Sequence, residues 1–296
     1  MKTLLKGGTV YSDHRFVAAD NLTEDGVIRQ IGSNLEADGA EVFDVSGYRI
    51  VPGFLDVHTH GAVGVDVNAA EPEDIEKVCR FQASQGTTGW LGSVLTDTRE
   101  QTLWCIEQFK QWEKLEHQGA ELLGIHLEGP FLSPDYKGAM PEHLLQKPNL
   151  ELLKEYQKAA EGRIRYITVS PELDGMVDFI AEIGKLGIVT AIGHSGADYE
   201  TAQAAIANGA EGATHTGNAM KLLHQHFPAI WGAVLENDRV FCEIICDGRH
   251  LHPGTVRLII KTKGLDRVVA ITDSIMAAGL PDGKYKLGVN DVVVLD

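Results

Sequence analysis

The chain has 296 residues, 44% of them hydrophobic and 23% charged, enough for one large buried core or a barrel with a small accessory unit. Its formal net charge of -16 sets it against nucleic acid and anionic membrane surfaces, whose phosphates that field repels, though not against a small anion in a local site. The opening Met1-Lys2-Thr3-Leu4-Leu5-Lys6 is too short an apolar run for a secretory signal, and no later run approaches a membrane span, so a cytoplasmic protein is expected.

Residues 1–50 read as a small β unit. The runs Leu4 to Tyr11, Gly26 to Ile31 and Glu41 to Val45 are β-rich and broken by Gly, Asp and Asn. From residue 51 to 296 the pattern changes. Continuous apolar runs recur at Ile50–Val57, Gly89–Leu95, Glu121–Leu127, Ile164–Val169, Gly187–Ile192, Gly212–His215, Val240–Cys246 and Val268–Ile271. Between them lie stretches of helical period: Pro72–Gln85, Arg99–His117, Glu151–Ala160, Tyr199–Asn208 and Pro253–Lys263. The connection after the sixth run is long and only partly helical, and no eighth helix follows the last run. Strands without alternation belong to parallel sheets covered on both faces, and eight βα units in series predict a (β/α)8 barrel. The cysteines lack the spacing of a disulfide framework or zinc ribbon. Cys242 and Cys246 are expected as buried thiols on one strand face.

Barrel enzymes carry their chemistry at the C-terminal ends of the strands. Here the first run ends Asp56-Val57-His58-Thr59-His60, the third His126-Leu127-Glu128, the fifth Gly193-His194-Ser195, the sixth Thr214-His215 and the eighth Thr272-Asp273. Imidazole and carboxylate are the donors that zinc and similar ions take. His58 and His60, two apart on a strand, point to one side and can reach one ion. A lone histidine is more often structural. The set, placed at one end of successive strands, predicts a metal centre for amide hydrolysis, with Asp273 placed to move protons. His126 shares the face of Glu128 and reads as a core residue or a support for the ligands. His250 follows the seventh run and faces the same mouth.

Pro52-Gly53-Phe54-Leu55-Asp56-Val57-His58-Thr59-His60 resembles the first-strand signature of the amidohydrolase superfamily. Gly124-Ile125-His126-Leu127-Glu128-Gly129-Pro130-Phe131 with Lys137-Gly138-Ala139 resembles more specifically the N-acetylglucosamine-6-phosphate deacetylases. So do Asn218-Ala219-Met220, Cys246-Asp247-Gly248-Arg249-His250 and Ala278-Gly279-Leu280-Pro281-Asp282-Gly283. The resemblance implies that Glu128, His194 and His215 hold the main divalent ion. Zinc is expected, with iron, manganese or cobalt as alternatives. His58 and His60 would complete a second site found in only some members, and Asp273 would be general base and acid. Asn218, Ala219 through its backbone, and His250 would contact a sugar phosphate. The implied partner is a small amino-sugar substrate, and the implied assembly is a homodimer.

Three departures stand out. His226 occupies the place of an arginine that reaches the phosphate across the dimer, within a stretch that commonly reads Arg-Glu-Pro-Gly. Met140 stands where a polar residue is common. Members of the family are longer, which implies that the last barrel helix and part of the β unit are missing. Two alternatives remain at this level. One is a cyclic-amide hydrolase of dihydroorotase or hydantoinase type, opposed by the fourth run, which ends Val169-Ser170-Pro171-Glu172 without a lysine. The other is a catalytically inactive, truncated relative.

Overall fold

A computed structural model describes residues 1–295 and divides the chain into two compact units, Met1–Phe54 and Leu55–Asp296. In the first unit a four-stranded sheet runs in the order Val27–Gly32, Asp20–Glu24, Lys2–Lys6, Glu41–Asp44. A three-stranded sheet runs Arg15–Ala18, Thr9–Ser12, Arg49–Ile50. Asp20 pins its turns: one carboxylate oxygen accepts from Gly7 N at 2.8 Å and the other from Leu35 N at 2.9 Å.

The second unit is an eight-stranded parallel barrel. Its strands are β1 (Phe54–Thr59), β2 (Thr87–Leu95), β3 (Glu121–Glu128), β4 (Ile164–Val169), β5 (Val189–Ile192), β6 (Ala210–Ala213), β7 (Phe241–Ile245) and β8 (Val268–Ile271), neighbours in that order. The ring closes where β8 meets β1 again. Asp273 N donates to His58 O at 2.9 Å, His60 N donates to Ser274 O at 2.7 Å, and Thr272 Oγ1 donates to the buried Asp56 carboxylate at 2.6 Å.

Among the described residues seven α-helices return the chain: α1 (Pro72–Ser84), α2 (Arg99–Trp112), α3 (Leu150–Ala159), α4 (Met176–Lys185), α5 (Tyr199–Ala207), α6 (Ala229–Glu236) and α7 (Pro253–Lys263). Their starts follow local chemistry. Thr98, Asn149 and Asp198 accept from the backbone N–H three residues on, and α1 and α7 begin with proline, whose missing N–H costs nothing there. Trp90, Phe109, Ile125, Leu153, Ile167 and Ile180 are among the fully buried residues where strands and helices meet. Among the described residues no helix follows β8; a hairpin of Gly283–Leu287 and Asn290–Val294 does. No helix among them is long and apolar enough to cross a membrane.

Three expectations change. The second helix ends at Trp112, short of His117. Helix α4 forms in a stretch outside the expected helices, and α6 is the helical part of the long connection after the sixth run. Cys242 is buried, but Cys246 lies one residue beyond the end of β7, where strand alternation no longer governs, and it is exposed.

Candidate metal centre

The C-terminal ends of β1, β3, β5, β6 and β8 bring six of the predicted side chains into one cluster. Glu128, His194 and His215 place one donor atom each within 4.8 Å of the others, and so do His58, His60 and Asp273. Glu128 lies between the two triads. Its Oε1 is 3.1 Å from His194 Nε2, 3.3 Å from His215 Nε2 and 3.3 Å from His58 Nε2, while Oε2 is 3.2 Å from His60 Nε2. Asp273 Oδ1 lies 3.3 Å from His60 Nε2 and 3.5 Å from His58 Nε2, and it is the only member of the six with substantial access to solvent at the mouth, 20% of its side chain.

Every ring is oriented from behind. A carbonyl oxygen can only accept, so the Nδ1 that faces one carries the proton. His60 Nδ1 donates to Ser93 O at 3.0 Å, His194 Nδ1 to Tyr136 O at 2.8 Å and His215 Nδ1 to Asn218 O at 3.1 Å. His58 Nδ1 faces the Glu243 carboxylate at 3.2 Å. All four rings therefore turn Nε2 towards the centre. The Nε2 atoms of His58 and His60 stand 3.1 Å apart, and those of His194 and His215 3.0 Å apart. Facing lone pairs at that distance repel unless a cation or a proton lies among them. Donors held on an ion by bonds of about 2.0–2.1 Å at tetrahedral angles are about 3.3 Å apart, so this donor set fits a divalent metal.

The electrostatics agree. Burial would push the His58 and His60 imidazoles down, but Asp273 and Glu128 outweigh it, raising His58 well above the usual range and His60 to about 9. Burial would push the two acids up, yet the facing histidines hold Glu128 and Asp273 well below ordinary carboxylates. A cluster that keeps its acids ionised and draws protons onto its histidines is built around positive charge. His126 differs. Burial and the His58 charge hold it well below a normal histidine, and it spans Ser93 Oγ and Thr168 Oγ1, both at 2.9 Å, as a neutral strut inside the barrel.

Backbone strain is concentrated here. His194 (φ 47°), His215 (φ 29°), Ala219 (φ 47°) and Asp273 (φ 48°) occupy left-handed conformations that side chains with a Cβ avoid, a mark of positions fixed by function. Gly138 (φ +56°) lies against the His194 ring, where a Cβ would come within 3.0 Å of Cε1. Glu172 fastens the turn after His194: Ser195 Oγ and Gly196 N both donate to it at 2.7 Å.

The remaining predicted residues lie outside the cluster. Asn218 is anchored through its backbone to His215, and its side-chain Nδ2 is buried without a hydrogen-bond partner. His250 is exposed and bonds the Asp247 carboxylate at 2.6 Å. His226 is exposed in the loop before α6, in ring contact with His224 and Phe227. Met140 is buried against Leu95 and Leu132. Glu243 and Ser93 are the supports that the sequence reading missed. A lone acid inside the apolar run Val240–Cys246 was the available signal, because a buried carboxylate needs a partner.

A parallel barrel with histidine and carboxylate donors at the C-terminal ends of its strands defines a metal-dependent hydrolase of the amidohydrolase class, and the Amidohydrolase family model matches residues 49–286. The N-acetylglucosamine-6-phosphate deacetylase of Bacillus subtilis (strain 168) is 35% identical over 248 residues, covering 83% of this chain and 63% of that protein. The N-acetylgalactosamine-6-phosphate deacetylase of Escherichia coli O157:H7 is 32% identical over 275 residues, covering 93% and 70%. The structure of a mutant N-acetyl-D-glucosamine-6-phosphate deacetylase from Mycobacterium smegmatis, in complex with N-acetyl-D-glucosamine-6-phosphate, superposes with a TM-score of 0.92 at 31% identity, covering 99% of this chain and 76% of that one. The chain belongs to the N-acetylglucosamine-6-phosphate deacetylase family of the amidohydrolases. It spans about two-thirds of the length of those two curated relatives.

Proposed function

We propose that this chain hydrolyses the acetamide of an N-acetylhexosamine 6-phosphate, releasing acetate and the free amine. The observation that carries this reading is the convergence of Glu128, His194 and His215 on one point, with Asp273 beside it at the open mouth. Glu128, His194 and His215 would hold the principal ion. His58 and His60, with Asp273, would hold a second, and Glu128 reaches both. Zinc suits these donors best; iron, manganese and cobalt are also accommodated.

A divalent ion bound there supplies Lewis acidity to the attacking water and to the amide carbonyl. The Asp273 carboxylate accepts the proton that the attacking water loses. When the C–N bond breaks, the same carboxyl group returns that proton to the departing nitrogen, so the amine leaves neutral. Holding Asp273 ionised in the resting site, as its histidine neighbours do, keeps it ready as the base. The buried, unpartnered Asn218 Nδ2 offers a donor to the substrate, and Ala219 offers its backbone. His250 and His226 are the residues we assign to the phosphate.

A homodimer is the assembly we favour, supported by the exposed Leu222, Leu223 and Phe227 in the loop that carries His226. A cytoplasmic setting accords with four free cysteines. The test is acetate release, after zinc loading, from the 6-phosphates of N-acetylglucosamine and N-acetylgalactosamine and from unphosphorylated N-acetylglucosamine. Turnover of a phosphorylated sugar supports the reading; silence on all three overturns it.

A further inference from the structure

Of the four rings that face the centre, three are held from behind by neutral backbone carbonyls. His58 is held by a carboxylate, Glu243 on β7, which is 1% exposed. Resting on the metal reading above, we propose that Glu243 is a positioning residue for His58 and sets the affinity of the His58–His60–Asp273 position for its ion, apart from that of the Glu128–His194–His215 position.

Three observations support this. The same oxygen, Glu243 Oε2, also accepts from His215 N at 3.2 Å, so one buried atom ties a donor ring on β1 to the backbone of a donor on β6. Among the described residues, the one ion pair of Glu243 is with His58. A buried carboxylate whose sole cationic partner is an imidazole is stable only when that ring bears positive charge, from a proton or from a metal on its other nitrogen. Finally, Glu243 Oε1 has no hydrogen bond of its own. Glu243 also lines a largely apolar cavity of about 360 Å³ with Val57, Leu91, Arg165, Tyr166, Phe241 and Val269. A carboxylate behind a ligand imidazole raises the basicity of the ring and fixes its tautomer, and losing such a support typically weakens metal binding 10–100-fold.

The experiment is titration of metal-free wild type and Glu243→Gln with zinc, followed by calorimetry and by native mass spectrometry, with a thermal melt of each metal-free protein as the folding control. Glutamine keeps an acceptor oxygen for His58 and His215 but not the charge. We expect two ions in the wild type, and in the variant an unchanged first ion with the second weakened about 10–100-fold. Glu243→Asp retains charge but withdraws it by one methylene, and should weaken the second ion as well; it serves should the glutamine variant not fold. Equal weakening of both ions, no change in either, or a single ion in wild type that neither variant affects overturns the proposal while leaving the metal reading intact. No ion in the wild type overturns both.

Discussion

The Nε2 atoms of His194 and His215 stand 3.0 Å apart, each ring having committed its proton on the far side, to Tyr136 O and Asn218 O. Unless one ring takes a second proton, two lone pairs held against each other are a standing cost that an ion removes. The metal-free protein should therefore be markedly less stable than the zinc-loaded one. At free zinc a thousandfold above the dissociation constant the gain is about 4 kcal/mol, a rise in melting temperature on the order of 10 °C for a domain of this size. A thermal melt with zinc and with chelator measures it. Coincident melting curves would remove the argument from the facing lone pairs.

The raised His60 makes a second prediction about pH. Its folded pKa of about 9 lies above the ordinary histidine value of 6.5. In the metal-free protein the protonated ring thus contributes stability that is complete below about pH 6.5 and is lost as pH rises through 9. Metal-free melting temperatures should fall across that window. By the same logic, zinc binding at pH 7.5 must displace protons from the cluster. Calorimetry in buffers of different ionisation enthalpy reads that release, and a heat independent of buffer would contradict it.

Asp273→Asn separates binding from chemistry. The amide keeps the shape of the carboxylate but can neither take a proton from water nor return one. A loss of about 10²–10⁴-fold in kcat is expected, with the ion held by Glu128, His194 and His215 still present on metal analysis. Full activity with one metal retained would take Asp273 out of the proton path.

What could be read in advance, and what could not, follows from chemistry. Glu128, His194, His215, His58, His60 and Asp273 were visible because each is a charged or imidazole group ending an apolar strand, where nothing in the packing asks for it. Glu243 sits inside such a strand and looked like an ordinary member of it. Its role emerges only when the closed ring brings Glu243 of β7 within reach of His215 N, past the end of β6, and of His58 Nδ1 on β1. Helix α6 was legible only as a partly helical connection, for a different reason. Six of its eight residues are buried, so it lacks the polar face that gives a surface helix its period. Met140 could be flagged as a departure, but its burial against Leu95 and Leu132 is a tertiary fact. A specificity change there would act by shifting the loop it anchors.

Ala229 offers a test of local strain. It takes φ 56° at the start of α6, at the place where the stretch in related enzymes commonly reads glycine. A left-handed alanine costs about 1–2 kcal/mol, part of which glycine returns through the flexibility of the unfolded chain. Ala229→Gly should therefore be stabilising by up to about 1 kcal/mol, seen as a higher midpoint in urea. A lower midpoint would mean that the lost methyl group contacts, at a site 1% exposed, outweigh the backbone strain.

His226 is where substrate recognition should respond most cleanly. It is exposed, and its contacts are with His224, Gln225 and Phe227 of its own loop, so changing it leaves the metal cluster untouched. Arginine carries its charge at every physiological pH and presents a fork that matches phosphate; histidine does neither reliably. His226→Arg should lower KM for a 6-phosphorylated N-acetyl sugar about 10-fold, or about 1.4 kcal/mol, with kcat nearly unchanged. The gain should shrink as salt rises, because the new contact is ionic and near solvent. The unphosphorylated sugar is the control. If its KM falls by the same factor, the loop acts through general closure of the mouth rather than through the phosphate, and the assignment of His226 to phosphate recognition fails.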